Sequence, residues 1–177
     1  MIQAKHLLIL ILLPLLTACA NNDWRTASRA SAGIAPDPKT TPEPVIQVYA
    51  ADAWGWRGIF AVHTWIALKP RNADQYTVYE VVGWREKRGL PVLRIEQDTP
   101  DRLWFGARPE IILDRRGDGV DELIGQIKSA ARDYPWKHEY RVFPGPNSNT
   151  FPAWVAHKVP DLQLELPFRA IGAGWAD

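Results

Sequence analysis

The stretch Gly58–Leu68, which reads GIFAVHTWIAL, decides the fold of this chain. Successive side chains of a strand point to opposite faces of the sheet, and here both faces carry apolar side chains. This pattern is typical of a strand buried at the centre of a sheet. We therefore predict a central strand here. Further strands are predicted around it, where short apolar runs are separated by Gly, Pro and polar turns: Val45–Ala51, Tyr76–Trp84, Val92–Gln97, Leu103–Gly106 and Glu110–Leu113.

Two helices are predicted after the strands. Asp118 is the expected N-cap of the first, in which apolar residues recur at helical spacing until Pro135 ends the run. The second is expected to begin near Asn149–Thr150, because Pro152 is tolerated only in a first helical turn. Strands followed by helices predict an α+β fold with a mainly antiparallel sheet.

The composition limits the classes of function. The 177 residues leave room for one compact domain, and a 46% share of apolar residues is enough to build a core. Lys and Arg number 21 against 20 Asp and Glu, so the formal charge of +1 gives no bias toward nucleic acid. The single cysteine excludes an intrachain disulfide and a cysteine-rich zinc site. No cofactor or metal is expected, since no P-loop, dinucleotide fingerprint or metal-type histidine spacing is found.

The amino-terminal segment is typical of an exported protein. Lys5 precedes the apolar run Leu7–Leu16, which is too short to span a bilayer and suits the apolar region of a signal peptide. The run leads into Leu16-Thr17-Ala18-Cys19, which resembles the lipobox of bacterial lipoproteins. That resemblance implies a lipoprotein signal peptide over residues 1–18 and acylation of Cys19. The alternative is an ordinary buried helix that ends in a free thiol.

Lipidation predicts an envelope protein held at a membrane. Acyl chains on Cys19, palmitate among them, each contribute about 0.8 kcal/mol per buried CH2 group. Ala20 and Asn21 follow, with no Asp after the cysteine, and the resemblance to Gram-negative lipoproteins then favours the outer membrane, facing the periplasm. Residues 19–44, rich in Asn, Ser, Ala, Thr and Pro, are predicted to form a flexible tether, and residues 45–177 a single α+β domain.

Two polar features are candidates for chemistry. His63 lies within the predicted central strand, where it is either a hydrogen-bonded core residue or a general base held on a rigid element. Ser148 lies at the predicted start of the second helix, where Asn, Ser and Thr commonly form a turn and a cap. The same position offers backbone N–H groups and the helix dipole to a nucleophilic hydroxyl, which Asn147 or Asn149 would orient.

Tryptophan is abundant, with nine residues in the chain. Most are expected in the core, because aromatic rings carry the largest apolar area per residue. One or two are expected to line a cleft for a sugar or a peptide. The best candidates are Trp54 and Trp56 in Trp54-Gly55-Trp56-Arg57-Gly58, a predicted loop that leads into the strand of His63.

Several of these segments together resemble a bacterial family catalogued as domain of unknown function 3750. The matching pieces occur in order over most of residues 45–172, and they are Trp54–Gly58, His63–Ile66 with Lys69-Pro70, Gly145–Phe151, and Leu166-Pro167 with Ala170–Gly172. This resemblance implies no particular activity.

A more distant resemblance is to the circularly permuted papain-like folds of cell-wall hydrolases and lipid acyltransferases. In those proteins a His on a sheet strand precedes an Asn-Cys that opens a helix, and here His63 precedes Asn147-Ser148 in the same order. The resemblance implies a permuted papain-like arrangement with Ser148 at the cysteine position. Because serine is a weaker nucleophile than thiolate, it implies either a serine variant or a binding cleft that has lost catalysis.

Two functions from different classes follow. We favour a non-catalytic binding module on a lipid anchor, in which a cell-envelope glycan or peptide is held by Trp54, Trp56, Asn147 and Asn149. The alternative is a hydrolase or acyltransferase acting on an amide or ester of the envelope. In it, His63 would remove the proton from Ser148 and Glu80 would orient the histidine. A structural lipoprotein that works through protein contacts is the third reading.

Overall fold

The computed structural model describes residues 23–176, so Cys19 and the predicted signal peptide lie outside the described residues. One antiparallel sheet organises this part of the chain, with strands in the order β4-β3-β2-β1-β5. The strands are β1 Val45–Asp52, β2 Val62–Lys69, β3 Thr77–Val81, β4 Leu93–Gln97 and β5 Glu110–Arg116. Together with the helices that follow them, they confirm the predicted α+β fold.

The predicted central strand is central, but it begins four residues later than expected. All of β2 is buried, between β1 and β3. Gly55–Ile59 instead forms a short 3-10 helix, and the Ala53 N–H donates to the Ala61 carbonyl at 3.0 Å to close the loop. Gly58 permits this tight turn, because a Cβ there would lie 2.6 Å from the Ala53 carbonyl oxygen. The local backbone geometry therefore overrides the apolar pattern.

Two helices cover one face of the sheet, as α1 Val120–Arg132 and α2 Thr150–Lys158. The second begins where it was predicted, with Pro152 in its first turn. The N-cap of α1 is Gly119 and not Asp118, because the chain enters the helix through a left-handed residue with φ of 80°. None of the helices within residues 23–176 is long and apolar enough to cross a membrane.

The outer strand predictions need two corrections. Tyr76–Trp84 is shortened to β3, and a 3-10 helix follows over Gly83–Arg88. Leu103–Gly106 is a turn, in which Trp104 and Ala107 pair as an isolated bridge. The other predicted strands are found, and β5 is three residues longer than predicted.

The alternation of β2 sends successive side chains to opposite faces of the sheet. Ile66 and Leu68 pack on the helical face, in the larger core cluster that includes residues of α1 and α2. Trp65 and Ala67 pack on the other face, in a second cluster with Tyr49 and Trp104. The sheet therefore separates two layers of side chains, and this separation governs the candidate site.

Part of the predicted tether is docked on the second face. We call residues 28–36 the strap. The N–H groups of Ala32, Leu103 and Gly106 join it to residues 101–106, with N–O distances of 2.8–3.0 Å. The Asp101 carboxylate also accepts the Ser31 hydroxyl at 2.8 Å and the Ile34 N–H at 2.7 Å. This stretch differs from the flexible tether predicted for it, because a buried carboxylate on the domain supplies acceptors that composition does not reveal.

Candidate functional site

His63 lies in the middle of β2 on the face opposite the helices. Its imidazole is 5% exposed and stacks on Trp104, with ring centroids 3.5 Å apart and an angle of 4° between the planes. The Trp65 ring lies 5.7 Å away on the same face. This face is the one that strand alternation predicts for His63, and the ring is held by aromatic contacts as much as by hydrogen bonds.

Glu80 of β3 is the polar partner of His63. The His63 Nε2 atom lies 3.3 Å from Glu80 Oε2, and the other carboxylate oxygen accepts from Arg94 and Arg102 at 2.7 Å each. Arg94 also donates to Asp98 at 2.8 Å. Two carboxylates and two guanidinium groups thus balance in charge around a buried imidazole. The predicted contact of Glu80 with His63 is present, within a network of arginines that sequence reasoning missed.

This network sets the charge states of both partners. Burial lowers the pKa of His63, and the hydrogen bond to Glu80 only partly opposes that effect. Burial alone would raise the pKa of Glu80, but the hydrogen bond from His63 and the charge of Arg102 outweigh it and lower the pKa to about 2. The resulting pair is a neutral imidazole beside an ionised carboxylate. Because a carboxylate only accepts, the Nε2–H of His63 donates to it.

The structure does not bring Ser148 to His63. Thr64, the neighbour of His63 in β2, points to the helical face, where its hydroxyl donates to the Asn149 side chain at 2.9 Å and to the Ser148 carbonyl at 3.4 Å. His63 therefore points away from Ser148, with the sheet between them. Among residues 23–176, no hydrogen-bond partner of the Ser148 hydroxyl is found. The predicted pairing of nucleophile and base is contradicted by the alternation of β2.

Asn147 and Asn149 hold the backbone together instead of facing solvent. The Asn147 amide donates to the carbonyls of Val142 and Ile171, at 3.1 and 3.0 Å. The Asn149 amide donates to the carbonyls of Val62 and Ile171, at 3.0 and 2.9 Å. Both side chains are buried, at 4% and 3% exposure. Contact with a ligand, the role predicted for them, would therefore require these structural hydrogen bonds to break.

A pocket of about 400 Å³ lies where β1 and β2 join, next to the turn that carries Trp104. Trp54 and Phe105 form part of its wall, with ring centroids 5.2 Å apart. The wall is completed by Asp52, Ala53, Gly55, Gly58, Ile59, Trp104 and Ala107. The loop predicted to line a cleft does so through Trp54. Trp56 is 72% exposed, packs on Phe60 and is not part of the wall.

Trp104 joins the pocket to the polar network, since it lines the pocket and stacks on His63. Its neighbour Phe105 has a φ of 50°, a conformation that costs energy for a bulky residue and that marks functional or tight turns. Sequence reasoning missed both residues as pocket walls, because Leu103–Gly106 looked like a strand. Gly106, directly after Phe105, is a local signal of the turn.

Metal binding finds no support in this part of the chain. Residues 23–176 contain no group of three or more His, Cys, Asp or Glu side chains arranged to hold a metal ion. The carboxylates of the polar network are already bound by arginines.

Comparison of the chain with known proteins identifies its family and finds no match among curated proteins or solved structures. The model of the family described as protein of unknown function (DUF3750) matches residues 43–175, and the chain belongs to that family. No curated protein and no solved structure is similar enough to the chain to match.

Proposed function

We propose that this chain is a lipid-anchored, non-catalytic binding module that takes a cell-envelope glycan or peptide into the pocket lined by Trp54, Trp104 and Phe105. The observation that carries the proposal is this pocket, which combines aromatic walls with a carboxylate. Its volume of about 400 Å³ falls within the usual range of small-ligand sites, about 300–1,000 Å³.

The chemistry of the pocket favours a glycan over a peptide. Indole and phenyl faces pack against the C–H groups of a sugar ring, while an acceptor at the rim takes its hydroxyls. Asp52 ends β1 at the pocket wall with its side chain 60% exposed. One of its carboxylate oxygens accepts from Arg169 at 2.8 Å, and the other is the acceptor offered to a ligand. A peptide would offer its backbone N–H groups to the same carboxylate, but it lacks the flat C–H faces of a sugar ring that match the aromatic walls.

A non-catalytic role is favoured by the arrangement of the polar groups. His63 is held between Glu80 and Trp104, and it is not among the residues that line the pocket. Ser148 lies on the other side of the sheet, and within residues 23–176 no base forms a hydrogen bond with its hydroxyl. Activation of a serine requires a base within hydrogen-bond reach, so the hydrolase or acyltransferase alternative gains no support.

The anchor is part of the proposal and rests on the sequence. Signal cleavage after Ala18 would leave Cys19 as the first residue, where acyl chains on its thiol and amine hold the domain at the membrane. The residues Ala20 and Asn21 support retention in the outer membrane, with the domain in the periplasm. Mass spectrometry of the amino-terminal peptide tests this directly, since Cys19→Ala must abolish both the acyl mass and the cleavage.

The binding proposal is tested by titration with envelope fragments. We expect the disaccharide unit of peptidoglycan, without its peptide, to change the tryptophan fluorescence of the full chain, and the free stem peptide not to do so. Trp54→Ala should weaken the saccharide titration at least about tenfold, because it removes an aromatic wall of the pocket. Trp24→Ala is the matched control, since Trp24 is 51% exposed and is not part of the pocket. Equal titrations for the two variants would contradict the proposal.

A further inference from the structure

Large apolar side chains are exposed together at the end of the molecule where β1 and β2 join. Trp56, Ile59 and Phe60 of the connecting loop are 72%, 83% and 48% exposed. Phe168 is 98% exposed and lies beside this loop. Its neighbour Arg169 fixes this position: the Arg169 carbonyl accepts the Val62 N–H at 3.0 Å, and the Arg169 guanidinium donates to Asp52 at 2.8 Å.

A further segment extends the same surface. Val142 and Phe143 are 54% and 75% exposed. The Asn147 amide joins the Val142 carbonyl to that of Ile171, three residues after Phe168. We call these six residues the apolar end: Trp56, Ile59, Phe60, Val142, Phe143 and Phe168. A monomeric soluble protein rarely exposes so many large apolar side chains in one region, and such a patch marks an interaction surface.

The chemistry of the apolar end suits the interface of a membrane. Tryptophan and phenylalanine beside arginine are favoured at the level of lipid headgroups, where the rings meet acyl chains and the guanidinium meets phosphate. Arg57 stands within the loop, between Trp56 and Ile59, and it forms no ion pair with the described residues. Arg57 is partly exposed, so its charge can reach a lipid phosphate at this surface.

The length of the segment before the domain points to the same surface. Gly106 donates its N–H to the Ser28 carbonyl at 2.9 Å, so the strap starts beside Phe105, whose ring packs on Trp54. Ser28 stands nine positions after Cys19, and nine residues reach at most about 30 Å when fully extended. A domain of this size is about 40 Å across, so an anchor at Cys19 holds the end that carries Trp54 within about 30 Å of the membrane and excludes an upright orientation with that end farthest away.

We propose that the apolar end docks on the surface of the lipid bilayer to which Cys19 is anchored. Ile59 and Phe168 enter the boundary between headgroups and acyl chains, and Arg57 pairs with lipid phosphate. The length argument rests on the proposed anchor, while the exposed side chains and their charge do not. The pocket opens at this same end, so its ligand is taken at the membrane surface.

Depth-dependent quenching tests the docking on the full chain. Cysteine is introduced at Ile59, at Phe168 or at Gln75, which lies in the β2–β3 loop at the other end of the strands. Each variant carries a nitrobenzoxadiazole label and is reconstituted in phosphatidylethanolamine–phosphatidylglycerol vesicles that contain nitroxide lipids. We expect the labels of Ile59→Cys and Phe168→Cys to be quenched several-fold more than that of Gln75→Cys. Equal quenching at all three positions would overturn the docking.

Mass spectrometry of the same samples keeps the two proposals apart. If Cys19 is acylated and quenching is equal, the docking fails and the anchor stands. If Cys19 carries no acyl chain and the differences in quenching persist, the anchor fails and the docking stands. A chain without acyl chains and without differential quenching overturns both.

Discussion

Glu80 is the buried carboxylate at the centre of the polar network, and it pairs with two arginines whose second charge is balanced by Asp98. Its carboxylate is 1% exposed and contacts Arg94, Arg102 and His63. A buried charge is costly unless it is paired, so the carboxylate and the guanidinium groups depend on each other.

Removal of that charge should destabilise the fold. We expect Glu80→Gln to lower the free energy of unfolding by about 3–5 kcal/mol, because two guanidinium groups lose their buried counter-ion. The control is Glu96→Gln on the neighbouring strand, where the side chain is 48% exposed and the expected loss is about 0–1 kcal/mol. Urea unfolding followed by tryptophan fluorescence measures both, and similar losses would contradict the account.

The stability should fall as the pH drops from neutral. The pKa of His63 in the folded protein lies below its ordinary value of 6.5, so the unfolded chain takes up a proton first and the stability declines below about pH 6.5. The pKa of Glu80 falls from 4.5 to about 2, so its contribution is present above about pH 4.5 and is lost between these values.

A variant of His63 separates its contribution to the pH dependence from that of Glu80. His63→Gln keeps an N–H donor for Glu80 but removes the titration, and we expect the decline in the free energy of unfolding between pH 7 and pH 5 to become shallower. Urea unfolding at several pH values measures this slope. An unchanged slope in His63→Gln would show that other groups set the pH dependence.

The sequence predicts some of these single-residue contacts and not others. The face of His63 follows from strand alternation, and a polar partner for it was expected in Glu80. The position of Ser148 relative to that face was not predictable, because it depends on which side of the sheet α2 packs against. The sequence of residues 147–150 does not indicate which side of the sheet the helix packs against. Likewise, the partnership of Glu80 with Arg94 needs the register of β3 against β4.

At the scale of elements, residues 147–150 fasten α2 to the sheet and to the segment after it. Thr150 donates its hydroxyl to the Gly172 carbonyl at 2.8 Å, while Asn149 reaches β2. The fit is close, since a Cβ at Gly172 would lie 2.2 Å from the Asn147 amide nitrogen. This stretch is better explained as a structural joint than as a nucleophile site.

Substitutions in this joint should separate the two explanations. Asn149→Ala removes the partners of the Thr64 hydroxyl and the Val62 carbonyl, and we expect it to cost about 2–4 kcal/mol of unfolding free energy. Ser148→Ala should cost less than about 1 kcal/mol, because its hydroxyl has no partner among the described residues. Chemical denaturation of the two variants measures the difference. A larger loss for Ser148→Ala would be inconsistent with the joint.

The strap depends on one buried carboxylate. Asp101 is 2% exposed and accepts from Ser31, Ile34 and Ala35. Asp101→Ala should release the strap and speed tryptic cleavage after Arg29 at least about tenfold, since charge-assisted hydrogen bonds are lost. Asp37→Ala is the control, because the Asp37 carboxylate accepts from the Lys39 N–H outside the strap. Peptide mapping over time measures both rates, and equal rates would show that Asp101 does not hold the strap.

The elements themselves were predictable where periodicity was long and unambiguous. The strands β1, β4 and β5 and both helices follow from apolar spacing and from Pro152. The start of β2 was not, because residues 58–61 look like part of the apolar run but belong to the loop before the strand, in which Ile59 and Phe60 are exposed. The same apolar character that predicts a buried strand also occurs at exposed side chains such as Ile59 and Phe60.

In the molecule as a whole, the two faces of the sheet carry different features. The helical face holds the larger core and the joint at residues 147–150. The other face holds the polar network under the strap, and the pocket and the apolar end lie together at the β1–β2 junction. The proposed ligand site therefore lies beside the surface that we propose to dock on the bilayer, as expected of a module that binds its ligand at a membrane.

We propose the pocket, and not Ser148, as the working site of this protein. The most direct test titrates the peptidoglycan disaccharide into the full chain and into its Trp54→Ala and Ser148→Ala variants. Our account predicts that Ser148→Ala binds as the unmodified chain does and that Trp54→Ala loses the binding. Loss of binding or of disaccharide turnover in Ser148→Ala, with Trp54→Ala unaffected, would contradict it.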